Sequence, residues 1–282
     1  MSTQARRKPE TPGVHPDRQG AEEVVRSRGF ERLARAGFAA RGVVYVVIGV
    51  LAIRLALGVP GGNASQQGAL RAVVAQPFGE VLLILIALGL AGYSLWRLLR
   101  AALGHGREDS DSGFDRLAAL GSGLAYAALA AIAVEILLGS GGGGSGNAQK
   151  TTAGVLGWPG GPWLVAIAGV ALIGIAAYQG YQGLSRDFLE NSKTEQMSSR
   201  MRAWVEWIGV LGHLARAVVY GLVGLFLIAA AVHFDPKRAV GVDGALARLA
   251  QASYGPFVLG LVATGLVAFG AYSLSDARYR RI

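Results

Sequence analysis

Six long, nearly uncharged stretches constrain this chain more than any other feature of its sequence. They cover residues 38–57, 78–98, 117–138, 163–184, 209–232 and 257–274. A helix needs about 20 mostly apolar residues to cross the hydrocarbon core of a bilayer. None of the stretches shows the short segments of alternating polarity that are typical of membrane β-barrels. The sequence therefore predicts an all-α, polytopic membrane protein with six transmembrane helices.

The composition argues against several functional classes. Only 16% of the residues are charged, against about 25% in an ordinary soluble domain. The chain contains no cysteine, which excludes disulfides, thiolate metal sites and cysteine-dependent catalysis. No serine–histidine–acid set, catalytic carboxylate pair or metal-ligand cluster stands out. We therefore expect no enzymatic activity, no metal and no cofactor.

Lysine and arginine are distributed unevenly between the two sides of the predicted membrane. Most of the 27 Lys and Arg residues fall on the side that holds both termini. Because such residues collect in cytoplasmic segments, we expect a bacterial plasma (inner) membrane protein with both termini in the cytoplasm. The net charge of +9 therefore does not indicate a nucleic-acid partner. Residues 1–29 are predicted to be a disordered basic tail, which is a candidate for contact with anionic lipid.

The chain repeats one two-helix unit three times, over residues 30–104, 114–187 and 205–277. The first helices share a tyrosine, at Tyr45, Tyr126 and Tyr220. Four residues earlier stand Arg41, Ser122 and Arg216. A proline precedes a tyrosine by 16 residues in each second helix, which aligns Pro77, Pro162 and Pro256 with Tyr93, Tyr178 and Tyr272. Three copies of the same spacing indicate an internal repeat.

Two-helix units leave the membrane on the side where they enter, so the three copies run in the same direction. Parallel repeats are related by an axis along the membrane normal. A pseudo-threefold ring is one such arrangement, and a linear or irregular one is the alternative. Two short amphipathic stretches, 67–75 and 243–252, are expected to lie flat in the outer interface.

These motifs resemble bacterial integral membrane proteins of domain-of-unknown-function family 1206. The resemblance covers residues 30–277 and rests on a Gly-x-x-x-Arg-x-x-x-Tyr motif, complete at 37–45 and 212–220. It also rests on the Pro-Phe/Trp … Tyr pattern of the second helices. In the middle copy, Ala118 and Ser122 replace the glycine and the arginine. The resemblance implies three tandem two-helix units and no known activity.

Seven polar side chains in or near the apolar stretches are the candidate functional positions: Arg41, Tyr45, Tyr126, Glu135, His213, Arg216 and Tyr220. The arginines either line an anion path or snorkel and stack on the tyrosine one turn later. The tyrosine hydroxyls either bond locally to a neighbouring helix or converge on a common cavity. We predict the structural alternative for both groups.

Glu135 and His213 have weaker functional interpretations. Glu135 is a carboxylate inside an apolar stretch, which marks a functional candidate, but it lies close enough to the outer end to reach the interface. His213 has no second histidine or cysteine at metal-ligand spacing. We therefore expect no metal at His213.

For the whole chain, we expect a non-enzymatic structural or partner-binding membrane protein. The bilayer is its expected surrounding, and the sequence identifies no protein partner. The alternative is a channel or transporter for a small solute or ion. A conduit needs a continuous polar lining, or a hydrophobic gate between wet vestibules.

Overall fold

The protein is an all-α, multi-pass membrane protein. The computed structural model describes residues 28–59, 63–103, 113–139, 147–190 and 192–280. These residues form nine α-helices: α1 (Arg28–Ala56), α2 (Gln66–Val74), α3 (Gly79–Leu103), α4 (Gly113–Leu137), α5 (Asn147–Leu156), α6 (Gly161–Ser185), α7 (Ser199–Val232), α8 (Val242–Ala250) and α9 (Gly255–Tyr279). The six long helices are apolar enough to cross a membrane. Residues 1–27 of the predicted disordered tail lie outside the described residues.

The outer faces of the long helices carry large apolar side chains. Leu88, Val170 and Leu261 are each 61% exposed at the surface of the bundle. Contact between such side chains and water costs about 25 cal/mol per Å² of apolar surface. Hydrocarbon is therefore the solvent that suits this surface.

The first helices of the three repeats (α1, α4, α7) are called leading helices here, and the second ones (α3, α6, α9) are called following helices. Each following helix begins after the same tight turn. The residue before the helix has a positive φ in every copy, at Phe78 (61°), Gly160 (77°) and Tyr254 (58°). A glycine then starts the helix, and a Cβ on Gly79 would collide with the carbonyl oxygens of Val73 and Val74. Only glycine fits this position.

This shared turn shows that the predicted alignment of the following helices is wrong in the first copy. Pro77 lies in the turn itself, whereas Pro162 and Pro256 lie in the first helical turn. Counting from the helix starts, the equivalent positions are Tyr93, Ile175 and Phe269, and then Trp96, Tyr178 and Tyr272. The packing agrees, because Gly37 lies against Tyr93 as Gly212 lies against Phe269. The error is three residues, which is close to one helical turn. A shift of this size leaves the apolar residues on nearly the same face, so the apolar pattern does not reveal it.

The six long helices follow one another around a ring. Helices α1, α3 and α4 pack in sequence, as do α6, α7 and α9, and α9 returns to α1. The most extensive interfaces join different repeats: α3 with α4, α6 with α7, and α9 with α1. The three helix pairs that join neighbouring repeats therefore make equivalent interfaces, which is the pseudo-threefold arrangement.

Close backbone approaches repeat around the same ring. A Cβ on Gly49 would lie 2.9 Å from the carbonyl oxygen of Ala263, and one on Gly224 would lie 2.8 Å from that of Gly169. These positions are equivalent between repeats. Small residues allow membrane helices to approach closely and gain van der Waals contact. The interfaces between repeats are built on this principle.

The ring is interrupted within the middle repeat. Helices α4 and α6 share no interface comparable to that of α1 with α3, and they are the least buried of the six long helices. Ala118 stands where Gly37 and Gly212 allow close approach in the other copies. A Cβ on Gly121 of α4 would meet nothing within 4 Å. A gap therefore separates α4 from α6.

The short helices pack one face into the bundle, and their position in the outer interface stays a prediction. Leu70 of α2 and Leu246 of α8 are completely buried in the main apolar core. Helix α2 also contacts α4, and α8 contacts α1, so each reaches the leading helix of the next repeat. Their counterpart α5, which the sequence did not indicate, contacts α6 and the turn Pro236–Arg238.

Both ends of the described chain lie at the same end of the bundle, called the terminal end here. Arg35 near the start of α1 donates to the carbonyl oxygen of Ala277 at 2.8 Å. The backbone N–H of Lys193, between α6 and α7, donates to the carbonyl oxygen of Tyr279 at 2.7 Å. The three repeats therefore start from the same end.

Candidate functional site

Two connected spaces occupy the interior of the ring. The central cavity, of about 390 Å³, is lined by α1, α3, α4, α6 and α7, and by Gln66 of α2. The vestibule, of about 230 Å³, lies at the terminal end and reaches α9. The two spaces share six lining residues: Arg41, Arg97, Ala118, Tyr178, Gln179 and Arg216. Helices from all three repeats therefore contribute to one site.

Arg41 is buried at the junction of α1, α3 and α9. Its guanidinium donates to the Ser273 hydroxyl at 3.1 Å, the Tyr93 hydroxyl at 2.9 Å and the Asp276 carboxylate at 3.2 Å. Its Cζ also lies 4.9 Å from the centre of the Phe38 ring. Within the described residues, the guanidinium of Arg41 thus contacts α3, α9 and Phe38 of its own helix, and its hydrogen bonds do not go to Tyr45 one turn later.

Arg216 has the equivalent place on α7 and different partners. It donates to the hydroxyl of Tyr220, one turn later, at 2.9 Å, and stacks 4.3 Å from the centre of the Phe269 ring. The Gln179 amide, oriented with its oxygen toward the guanidinium, accepts from Nη1 at 2.8 Å. No carboxylate within the described residues forms an ion pair with Arg216.

Arg97 supplies a third arginine where the middle repeat lacks one. Counting from the helix starts, Arg97, Gln179 and Ser273 occupy the same position of the following helices. Gln179 and Ser273 accept from the arginines of the next leading helix. At the interface of α3 with α4 the arginine and its polar partner have exchanged helices. The arginine, Arg97, is on the following helix α3, Ser122 is on the leading helix α4, and both line the central cavity. The site therefore contains an arginine at each of the three interfaces between repeats.

Positive charge dominates the vestibule. Its lining includes five arginines, Arg41, Arg97, Arg100, Arg216 and Arg280, and one carboxylate, Asp276. Asp276 is 1% exposed and pairs with both Arg41 and Arg280. Its Oδ1 and the Nε of Arg280 are buried without a hydrogen-bond partner among the described residues. The vestibule thus keeps unused hydrogen-bonding capacity beside a surplus of guanidinium groups.

The three repeat tyrosines converge on the central cavity, which all of them line. The hydroxyls of Tyr45 and Tyr220 lie 3.4 Å apart, and the Tyr126 ring packs edge-on against that of Tyr93 at 4.6 Å. The structure therefore favours convergence on a cavity, which was the alternative, over the purely local bonding that we predicted, although the Tyr220 hydroxyl also accepts from Arg216 of its own helix. The tyrosines belong to the wall of a shared site.

Toward the gap between α4 and α6 the cavity wall becomes apolar. Leu117 and Leu129 of α4 line it on one side, and Leu172 and Ile175 of α6 on the other. The site therefore has a cationic end and an aliphatic side.

Comparison with known proteins gives the chain a family. The sequence profile of the Domain of Unknown Function (DUF1206) matches three times, at residues 36–104, 117–186 and 211–280. The chain belongs to the DUF1206 family. It is 34% identical over 258 residues to the uncharacterized protein YxxB of Bacillus subtilis (strain 168), covering 90% of this chain and 92% of that protein. No solved structure matches the chain.

Two candidate residues of this DUF1206 chain are not part of the arginine–tyrosine group: His213 serves packing, and Glu135 lies apart from both spaces. His213 is buried in the vestibule wall, stacked on Phe188 with ring centres 4.9 Å apart, and its Nδ1 bonds the carbonyl oxygen of Gly209 at 2.8 Å. Glu135 is exposed near the outer end of α4 and lines neither space. Within the described residues, no group of three metal-ligating side chains occurs.

Sequence reasoning missed three residues of the DUF1206 site, namely Arg97, Gln179 and Asp276. Arg97 and Asp276 lie where apolar stretches end, and charges there are normally read as flanking residues. The useful signal was the repeat itself. With the following helices aligned from their glycines, Arg97 takes the place of Gln179 and Ser273 and compensates for Ser122.

Proposed function

We propose that this protein is a non-enzymatic membrane protein that binds an anionic group in its vestibule and central cavity. The observation that carries the proposal is that Arg41, Arg97 and Arg216, on three different helices, line one cavity. Guanidinium groups bind carboxylates and phosphates through paired, charge-assisted hydrogen bonds.

The charge balance of the site supports this function. Burying a charge is costly unless an opposite charge and hydrogen bonds compensate for it. Asp276 compensates for Arg41 and Arg280, whereas Arg97 and Arg216 have hydroxyl, amide and aromatic partners. Arg97 and Arg216 are partly exposed in the vestibule, where a bound anion can pair with both. Gln66, the first residue of α2, also lines the cavity, so the partial positive charge of that helix end acts in the same direction.

The chemistry of the charged groups supports binding rather than catalysis. Arginine keeps its proton in proteins, so the arginines of the site are suited to hold an anion and unsuited to proton transfer. The carboxylate of Asp276 is engaged by two of them. This is the basis for proposing a binding protein without an enzymatic step.

The alternative of a channel or transporter requires a path that continues to the other end of the bundle. The short helices at that end bury Leu70 and Leu246 completely, and the cavity wall turns aliphatic away from the arginines. We therefore favour a binding site over a conduit. Anion flux from liposomes containing the purified protein, abolished by Arg216→Gln, would instead favour transport.

We further propose a bacterial plasma membrane location with the terminal end in the cytoplasm. The excess of Lys and Arg on that side supports this orientation. The vestibule then opens toward the cytoplasm, on the side of the basic tail. Contact between the tail and anionic lipid remains a prediction, because residues 1–27 lie outside the described part of the chain.

Binding of inorganic phosphate to the purified protein in neutral detergent tests the anion site. We expect the melting temperature to rise with phosphate in a saturable way, because a ligand stabilises the state that binds it. Arg97→Gln and Arg216→Gln should each weaken the response about tenfold, since a charge-assisted hydrogen bond contributes about 1.5–3 kcal/mol. Arg202→Gln, a change of an exposed arginine at the same end, should leave it intact.

An exchange of residues sharpens this test. Adding Ser122→Arg to Arg97→Gln recreates the arginine–glutamine pair that Arg216 and Gln179 form at the equivalent interface. We expect the double variant to recover most of the phosphate response that Arg97→Gln loses. Equal responses from Arg202→Gln and Arg216→Gln would contradict a specific site and indicate a general salt effect.

A further inference from the structure

We infer that the anion held by the site is the headgroup of a membrane lipid, which reaches the arginines through the gap between α4 and α6. This inference rests on the proposed anion site and specifies its ligand as a lipid with an acidic headgroup and acyl chains. Three features of the structure carry it: the position of the gap, the polarity of the cavity wall, and the charge of the vestibule.

The gap connects the central cavity to the surface that faces lipid. Gly121, Ser122 and Ala125 of α4 line the cavity on one side of the gap, and Ile175 and Tyr178 of α6 line it on the other. Gly121 has open space beside it, since an added Cβ would meet nothing within 4 Å. Outward from these positions the helices are apolar and exposed, as at Leu124 and Ile167. A lipid can therefore enter the cavity without crossing water.

The walls of the cavity are arranged as an amphiphile requires. Arginine, tyrosine and glutamine side chains lie at the vestibule end. Leu129, Leu172 and Ile175 line the cavity beside the gap, and Val44 and Leu90 line it on α1 and α3. A soluble anion would use the arginines and leave the aliphatic wall unoccupied. An acyl chain covers this wall while its headgroup reaches the guanidinium groups. The volume of about 390 Å³ falls within the range of about 300–1,000 Å³ that is typical of small-molecule sites.

The charge of the site selects among lipids. Arg41, Arg97 and Arg216 line both spaces, and Asp276 is the one carboxylate among the described lining residues, so an acidic headgroup is attracted and a zwitterionic one gains little. The same difference makes acidic lipid preferable to any neutral occupant of the cavity. The depth of Arg41 and Arg216, each one turn before a cavity tyrosine, places the headgroup below the bundle surface.

Lipid binding is tested on the purified full chain in neutral detergent with three probes: short-chain phosphatidylglycerol, phosphatidylcholine with the same chains, and inorganic phosphate. We expect phosphatidylglycerol to raise the melting temperature at a concentration at least tenfold lower than the phosphatidylcholine concentration that gives the same rise. Native mass spectrometry should show saturation at one lipid per chain. Arg216→Gln should weaken the response to phosphatidylglycerol and to phosphate about tenfold. Gly121→Leu, which fills the gap, should lose the phosphatidylglycerol response while keeping that to phosphate.

Gly260→Leu is the matched control, because Gly260 of α9 also has open space beside it and lines neither space. It should respond to both ligands as the unchanged chain does. Ala125→Leu provides a second change in the gap if Gly121→Leu does not fold, because Ala125 lines the cavity on the same side of the gap. Equal responses to the two lipids, or an unchanged phosphatidylglycerol response in both gap variants, would overturn the lipid inference. A phosphate response that survives in those cases leaves the anion site standing, whereas the absence of any anion response overturns both proposals.

Discussion

Asp276 illustrates how a single residue makes an arginine-rich interior possible in this protein. Its carboxylate receives Arg41 from α1 at 3.2 Å and Arg280 from the end of its own helix at 3.0 Å. Both charges of the first pair are almost completely buried, at 7% and 1% exposure of the side chains. In such a setting, removal of one partner leaves a buried charge without compensation.

We predict that Asp276→Asn lowers the free energy of unfolding by about 3–5 kcal/mol, the usual cost of breaking a buried ion pair. Asp235→Asn is the matched control, because its pair with Arg238 is exposed and such pairs contribute at most about 1 kcal/mol. Equilibrium unfolding in mixed micelles measures both. Equal losses for the two variants would contradict the role assigned to Asp276.

At the scale of helices, close glycine contacts join one repeat to the next. Gly49 of α1 and Gly224 of α7 lie at equivalent positions. Gly49 approaches the backbone of α9 at Ala263, and Gly224 approaches the backbone of α6 at Gly169. Without a side chain at these points the two backbones approach closely, and the neighbouring side chains interlock around them. The interfaces between repeats therefore depend on close backbone contact at these glycines as well as on polar contacts.

We predict that Gly49→Ala and Gly224→Ala each destabilise the protein by about 1–3 kcal/mol, the usual cost of overpacking a tight interface. Gly260→Ala should be neutral or slightly stabilising, since alanine is favoured over glycine by up to about 1 kcal/mol in a helix and Gly260 has open space beside it. Thermal unfolding of the three purified variants gives the comparison. A loss at Gly260 as large as at Gly224 would contradict the packing argument.

For the whole molecule, the parallel repeats and the shared terminal end fix the topology. Ser199, at the start of α7, and Ser253, in the turn before α9, are both exposed and lie at opposite ends of the bundle. Because the chain contains no cysteine, single cysteines at these positions report their side of the membrane without background.

We predict that an impermeant thiol reagent applied to intact cells labels Ser253→Cys but not Ser199→Cys, since the excess of positive charge directs the terminal end into the cytoplasm. Permeabilised cells, in which both variants should react, provide the control for reactivity. Labelling of Ser199→Cys in intact cells would reverse the proposed orientation.

The number and the direction of the helices could be predicted from the sequence, because spanning length and hydropathy are properties of single segments. The gap could not. It depends on whether two helices approach, and a single methyl group at Ala118, in place of the hydrogen at Gly37 and Gly212, accompanies the difference. The short helices were located, but the burial of Leu70 and Leu246 depends on partners that are distant in the sequence.

The candidate site was predicted in part for similar reasons. Arg41, Arg216 and the three tyrosines lie inside apolar stretches, where polar residues are conspicuous. Arg97 and Asp276 lie near helix ends, where charge is ordinary, and only the contacts between helices distinguish them. An alignment based on the helix-starting glycines would have identified Arg97 as the missing third arginine.

The closure of the ring by its first and last long helices has a consequence for biosynthesis. Arg41 is inserted with α1, yet two of its partners, Ser273 and Asp276, lie 232 and 235 residues later in the chain. Until α9 is synthesised, the nascent protein holds a guanidinium in the membrane without its carboxylate. Insertion of α9 is therefore also the step that neutralises this charge, so a chain without α9 differs from one with it by an arginine in the membrane that lacks its carboxylate partner.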